Sequence, residues 1–221
     1  MSTATREQVL RAIRQALNAG PQTALPGPLP AQPVREDELV RRFVREAEAV
    51  GAEAASVPSR DAAREQIRRW LQACNVRRVV CTSTPGVVEL ALKELLLPGI
   101  EIDFLGDFSD GEEKRRRALA ADVGISDADC GIAESGTLAL RATPAQGRLA
   151  SLLPPVHIAV LSRQRIVPDL ATCFRALNMR EETRRTSLLT LITGPSRTAD
   201  IEQTLTVGVH GPGALYILLL G

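Results

Sequence analysis

A chain of 221 residues, 44% hydrophobic and 24% charged, has the composition of an ordinary globular protein and is long enough for one α/β domain with a proper core. Lys and Arg total 27 against 26 Asp and Glu, so the net charge of +1 leaves no global field to hold a polyanion. Aromatics at 3% provide no stacking platform, which argues against nucleic acid as a partner, and no stretch nears the roughly 18 apolar residues of a membrane span.

Met1 to Glu7 carries no apolar h-region and no cleavage pattern, so a secretory signal is not expected and the location expected is cytoplasmic. Residues 5–17 set Val9, Leu10, Ile13 and Leu17 on one stripe, the spacing of an amphipathic helix. Gly20 closes it, and the five prolines of residues 21–33 support neither a helix nor a central strand. The division expected is an N-terminal amphipathic helix over 1–20, a Pro-rich linker over 21–33 and an α/β domain over 34–221. So short a helix has little core of its own. It must pack back on the main domain, on a second subunit of a homo-oligomer, or on a partner.

From Val34 the pattern becomes regular. Residues 35–50 read as a helix with Leu39, Phe43 and Val50 inward, 52–57 as a first strand, and Ser59 as the cap of a helix through Ile67, Trp70 and Leu71. A strand over 77–82, a helix over 86–97 and a strand over 100–105 follow, and Asp110 caps a charged helix that runs to Ala121. Residues 112–117 resemble a charged patch, but the solvated face of that helix is the plainer reading. Residues 123–132 and 137–142 read as strands flanking a Glu134-Ser135-Gly136 turn. Further strands are read at 156–161, 187–193 and 215–220, with helices near 168–177 and 198–207 between them. Strands that alternate with helices and lack strict polar alternation imply a mostly parallel sheet covered on both faces, a three-layer α/β fold.

Cys74, Cys81, Cys130 and Cys173 lie far apart in sequence with no CxxC pair, and the two histidines are His157 and His210. Iron–sulfur and structural zinc sites need thiolates brought together, usually by close spacing. The reading is therefore of scattered buried thiols and no metal or cofactor of the chain's own.

Ligands of open α/β sheets bind beyond the carboxyl ends of the strands, and four segments are expected there. In Gly131-Ile132-Ala133-Glu134-Ser135-Gly136-Thr137 a carboxylate, a hydroxyl and a glycine interrupt two apolar strands. Glu134 is a candidate base or nucleophile there, against a plain hairpin turn with an exposed acid. Gly194-Pro195-Ser196-Arg197-Thr198 follows a strand and is expected to open a helix, which would aim free N–H groups at an anion. Arg197 adds a fork suited to carboxylate or phosphate. Ser196 or Thr198 alternatively only caps the helix, and Asp200 and Glu202 in its first turn weaken a phosphate reading. The lysine and glycine spacing of a P-loop are absent. His210, held among Gly208, Gly211, Pro212 and Gly213, suits proton handling near neutral pH or is a turn histidine without a role. His157, which opens a strand after Pro154-Pro155, reads as structural. No GxSxG elbow or Ser–His–Asp order points to hydrolysis.

Residues 131–137, Gln146-Gly147-Arg148 through Pro154-Pro155-Val156-His157, Ile166-Val167-Pro168-Asp169-Leu170, and residues 192–202 continuing to Gly208-Val209-His210-Gly211-Pro212 resemble, in order and spacing, the lactate utilization protein C family, whose shared unit is the LUD domain. The resemblance is dense over 123–221 and looser before it. It implies a fold similar to the sugar isomerase and coenzyme A transferase-like superfamily. It also implies a role beside two iron–sulfur proteins, which carry the clusters for oxidation of L-lactate to pyruvate. Glu134 and His210 are then the catalytic candidates. Ser135, Gly136, Thr137, Gly194, Ser196, Arg197, Thr198 and Asp200 are candidate contacts to a small anionic ligand. The expectation is a non-redox component of that system, with its own turnover left open. The alternatives are a regulatory or assembly protein without catalysis, or an acyl-transfer or cyclo-ligase enzyme using Glu134.

Overall fold

Six apolar segments pair side by side into one parallel sheet. In chain-order numbering these are β1 (Glu53–Val57), β2 (Arg78–Cys81), β3 (Glu101–Phe104), β4 (Val123–Asp127), β7 (Val156–Ser162) and β12 (Ala214–Leu220), ordered β1-β12-β7-β4-β2-β3. The computed structural model describes residues 3–19, 35–95, 98–178, 186, 188–199, 205–207 and 210–221. The chain forms two compact units, Met1–Ala31 and Gln32–Gly221, and the sheet belongs to the second. The first contains helix α1 (Thr3–Ala19), whose Val9, Leu10 and Ile13 are exposed. The linker read at 21–33 lies outside the described residues.

Alternate side chains of each strand go to opposite faces. On one face Leu218, Ile158, Val160, Ile125, Val79 and Cys81 meet Ile67, Trp70 and Leu71 of α3 (Arg60–Ala73). On the other, Ile217, Leu219, Ala159 and Leu161 meet Phe43 and Ala47 of α2 (Glu36–Ala49). Farther along that face Val80 packs with Ala118 of α5 (Gly111–Ala120) and Ala150 of α6 (Leu149–Leu152). Phe43 is fully buried, and burying such a side chain contributes ~1.5–3 kcal/mol. The fold is α/β with a mostly parallel sheet covered on both faces. Two expected caps form: Ser59 Oγ accepts from Ala62 N, and Asp110 accepts from Glu112 N and Glu113 N.

Three sequence expectations need correction. Residues 123–132 are two strands, not one. After Asp127 the chain leaves the parallel sheet and re-enters pairing as β5 (Cys130–Ile132) of a four-stranded sheet. That sheet also holds β6 (Thr137–Arg141), β8 (Ile166–Val167) and β9 (Leu189–Ile192), in the order β8-β5-β6-β9. The crossing is held by Asp129, which accepts from Arg141 N, Nε and Nη2 at 2.8, 2.8 and 2.6 Å.

The helix read at 198–207 is instead an antiparallel pair, β10 (Arg197–Ala199) and β11 (Leu205–Val207). Thr198, Thr206 and Val207 are β-branched and favour extended backbone. The helix read at 86–97 is interrupted. It becomes α4 (Pro85–Val88) and a 3₁₀ turn at Leu92–Leu95, separated by Ala91 at φ 46°. The helix expected near 168–177 forms as α7 (Leu170–Asn178). Among the described residues no helix is long and apolar enough to cross a membrane.

Candidate functional site

Three loops remote in sequence are stitched together by backbone hydrogen bonds. Ser196 N donates to Pro212 O at 2.8 Å, and Gly213 N and Ala214 N donate to Pro155 O at 2.8 and 3.3 Å. Beside them opens a hollow of about 300 Å³, at the small end for ligand pockets. Its lining includes Arg197, His210, Ser196, Thr193, Ser151 and His157, and no described lining residue is acidic. A larger hollow of about 420 Å³ lies along α2, but it is an open surface trough with Arg163 paired to Asp37 at its edge.

His157 is the second residue of β7, opposite Gly124 of β4 and Leu215 of β12. It is 1% exposed, and its Nε2 lies 2.8 Å from Ser126 Oγ. Burial drives its pKa down to about 4, so the ring is neutral near pH 7. Its Nδ1 is buried and has no hydrogen-bond partner among the described residues. The pocket therefore sits at the amino ends of β7 and β12. The expectation that all four segments lie beyond carboxyl ends fails for the His157 and His210 loops, because each precedes its strand.

The loop after β9 is built for docking rather than for a helix start. Gly194 has φ +75°, and a Cβ there would lie 2.6 Å from Val50 O, so glycine is required on both counts. Arg197 Nη2 donates to Val50 O at 3.0 Å, which places a cation on the carbonyl-rich end of α2. Because the chain continues as β10, the anion site at a helix N-terminus disappears. Arg197 and Ser196 remain on the pocket wall. Thr198 falls on β10, while Asp200, Gly208 and Val209 lie outside the described residues.

The Glu134 turn contributes less to the pocket than its composition suggested. Glu134 is exposed, and its Oε1 accepts from Leu170 N at 2.9 Å, so it caps the first turn of α7. Gly136 has φ +63°, and a Cβ there would lie 2.2 Å from Ala47 N, so this glycine lets the hairpin press on α2. Ser135 Oγ lies 2.8 Å from Thr137 Oγ1, which lies 2.8 Å from Thr193 Oγ1 on the pocket wall. Ser135 and Thr137 thus reach the pocket through Thr193. Glu134 and Gly136 are not among its lining residues.

Sequence reading missed Ser126 and Asp127, hidden at the end of an apolar run. The signal available was a polar pair where the strand should stay apolar. Asp127 is 9% exposed, and burial raises its pKa to about 6 against the pull of Arg165, whose Nη1 is 3.4 Å away. Gln146 Nε2 donates to Asp127 O at 2.5 Å. The cysteines are less scattered than expected. Cys130 and Cys173 share one buried cluster, and a hydrogen bond from Cys130 holds the Cys173 thiol below its ordinary value. Burial pushes the Cys81 thiol up. Among the described residues no three His, Cys, Asp or Glu side chains converge as a metal site requires.

Fold and site together define an α/β protein with a parallel main sheet, a smaller mixed sheet and a small cation-lined pocket. The LUD domain model matches residues 40–220, and the chain belongs to the LUD domain family. It is 35% identical over 163 residues to a protein named Lactate utilization protein C from Halalkalibacterium halodurans, spanning 72% of this chain and 70% of that one. Proteins of the same name from Bacillus subtilis and Macrococcus caseolyticus are 37% identical over 166 residues and 41% over 128. Those matches span 72% and 55% of this chain, and 68% and 55% of theirs. A crystal structure of a DUF162 family protein from Deinococcus radiodurans shares the fold. Its TM-score is 0.63 at 22% identity, covering 86% of this chain and 100% of that chain.

Proposed function

We propose that this protein is the non-redox component of an iron–sulfur system oxidising L-lactate to pyruvate in the cytoplasm, and that its pocket binds a small carboxylate. Relatives named Lactate utilization protein C, at 35 to 41% identity, support the pathway. On this reading two iron–sulfur proteins carry the clusters, and this chain binds and orients. The finer kinship, to the sugar isomerase and coenzyme A transferase-like superfamily, belongs to the same proposal.

The observation that carries the ligand class is the pocket wall, where Arg197, His210 and Ser196 meet and no described residue is acidic. Arg197 gives Nη2 to Val50 O and keeps further N–H donors for a carboxylate. His210, exposed beside it, is placed to supply a hydrogen bond or handle a proton.

Thermal unfolding of the full chain with lactate, pyruvate, coenzyme A and a nucleotide tests this reading. The carboxylate that binds should stabilise by about 2.7 kcal/mol at a hundredfold excess over its Kd. Arg197→Ala should weaken binding by roughly tenfold, the loss expected when a charged hydrogen bond is removed. Binding that ignores Arg197→Ala would sink the pocket assignment. Unimpaired growth on lactate after deletion of the chain would sink the pathway assignment.

A second reading, an assembly or regulatory protein without catalysis, is favoured by the exposed stripe Val9, Leu10 and Ile13 on α1. Truncation of residues 1–31 that keeps ligand affinity but loses co-purification with the iron–sulfur partners would support it. The acyl-transfer alternative needs a free Glu134 carboxylate, whereas that group is occupied in capping α7.

A further inference from the structure

We infer that the open edge of β9 is a docking site for the C-terminal segment of a partner polypeptide, which adds to the four-stranded sheet as a fifth strand and presents its terminal carboxylate to Arg197. The inference rests on the carboxylate reading of Arg197 above and goes beyond it, from a free acid to the end of a chain.

β9 is the last strand of its sheet, and β6 is its one ladder neighbour among the described residues. In an antiparallel pair, successive residues alternate between bonding across the ladder and facing away from it. Ala142 N donates to Leu188 O at 2.9 Å, and Arg141 stands opposite Leu189. The N–H and C=O groups of Leu188, Thr190 and Ile192 therefore go to β6, and those of Leu189 and Leu191 face outward. Proteins blunt such an edge with charge, proline or a bulge. Leu189-Thr190-Leu191-Ile192 has neither charge nor proline, and its register with β6 runs unbroken. Leu188 and Leu191 are also 38% and 42% exposed.

The hollow beside Arg197 runs along this edge. Side chains of a strand alternate between its two faces, so a cavity on one face touches every second residue. Thr190, Leu191, Ile192 and Thr193 all line this hollow, so it lies at the strand's side. Beyond Thr193 its wall continues to Arg197 and His210, with no described acid. An edge that offers backbone groups and then a cation matches a chain end, which brings backbone groups and then a carboxylate. That order also fixes the direction. The carboxylate lies past the C-terminal end of β9, so the partner runs parallel to β9. One partner residue then donates its N–H to Leu189 O and accepts from Leu191 N, and the residue two further on, the last, donates to Leu191 O. The residue between them turns its N–H away and lays its side chain beside the exposed Leu191, a place for an apolar group.

The test uses the immobilised full chain and a library of N-acetylated peptides with randomised C-terminal residues, made with either a free acid or an amide at that end. Retained peptides are sequenced by mass spectrometry, and their affinities are measured by fluorescence anisotropy. Free-acid peptides should be retained, enriched in an apolar residue just before the last, and their amides should bind roughly tenfold more weakly. Arg197→Ala should bring the two forms together. N-methylation of the last residue, or of the third from the end, should cut affinity roughly tenfold, whereas N-methylation of the residue between should leave it unchanged. Simple apolar adhesion would not produce that alternation. Equal binding of acids and amides overturns the inference, as does an equal effect of N-methylation at every position. So does retention of no peptide at all. If lactate or another small acid still binds through Arg197, this inference fails alone; if no acid binds, the carboxylate reading falls with it. The amide and N-methyl comparisons use the unmodified protein and stay decisive if Arg197→Ala does not fold.

Discussion

The two ends of the six-stranded sheet both bury ionisable side chains, yet they handle them in opposite ways. At the carboxyl end Asp129 is bound by Arg141 through three hydrogen bonds, and Asp127 is faced by Arg165. One guanidinium nitrogen, Arg141 Nη1, has no partner there among the described residues. At the amino end His157 leans on a single hydroxyl, and its Nδ1 has no partner among the described residues. The first end is held by charge pairs and the second by one neutral contact. Strand direction alone would have pointed to the carboxyl end.

The largest effect should come from breaking the charge-paired end. Asp129 and Arg141 side chains are 10% and 6% exposed, so Asp129→Ala leaves a buried guanidinium uncompensated. A loss of about 3–5 kcal/mol is expected in urea unfolding. A loss under about 1 kcal/mol would mean that the pair does not hold this end.

Titration of the two ends comes next, and the signs oppose. The folded state resists protonating His157 down to about pH 4, whereas the unfolded chain takes that proton near 6.5. Its contribution is therefore complete above pH 6.5 and is lost as pH falls toward 4. Asp127 binds its proton up to about pH 6 when folded and only to 3.8 when unfolded. Its contribution is present below 3.8 and is lost as pH rises through 6. The two slopes largely cancel in the native protein. Asp127→Asn should uncover the histidine limb, a rise in unfolding free energy of about 3 kcal/mol from pH 4 to 6.5. Parallel profiles for variant and native protein would show that Asp127 is not buried as a charge.

Smaller effects separate the Glu134 turn from the pocket. Gly136→Ala meets Ala47 N and a φ of +63°, and a loss of about 1–3 kcal/mol is expected with ligand affinity unchanged. Glu134→Ala removes the acceptor of Leu170 N while Asp169 still accepts from Thr172 N, and should cost up to about 1 kcal/mol, again without altering affinity. Thermal unfolding and calorimetric titration of each variant check both halves. Lost affinity with retained stability would return Glu134 to the binding site.

Much of this layout was legible along the chain. Buried apolar runs become parallel strands, Ser59 and Asp110 cap their helices, and the loops around Ser196, Pro212 and Pro155 come together. The split at Asp129 was not legible, because apolar residues of 123–132 carry no mark of which sheet they join. Neither was the Ser126–His157 contact. It depends on the register that sets Gly124 opposite His157, a pairing between strands 33 positions apart that no local spacing encodes. The β10–β11 pair was misread because Thr198, Asp200 and Glu202 resemble a capped first turn, and strand pairing at a distance overrode that signal.

The Arg197–Val50 hydrogen bond means that the pocket wall and the last turn of α2 share one cation. A ligand that draws the guanidinium away from Val50 O must also release the end of that helix, and its measured affinity includes the cost of the release. The linkage works in both directions. A substitution in the final turn of α2, touching no ligand atom, would then change how tightly the pocket holds its occupant.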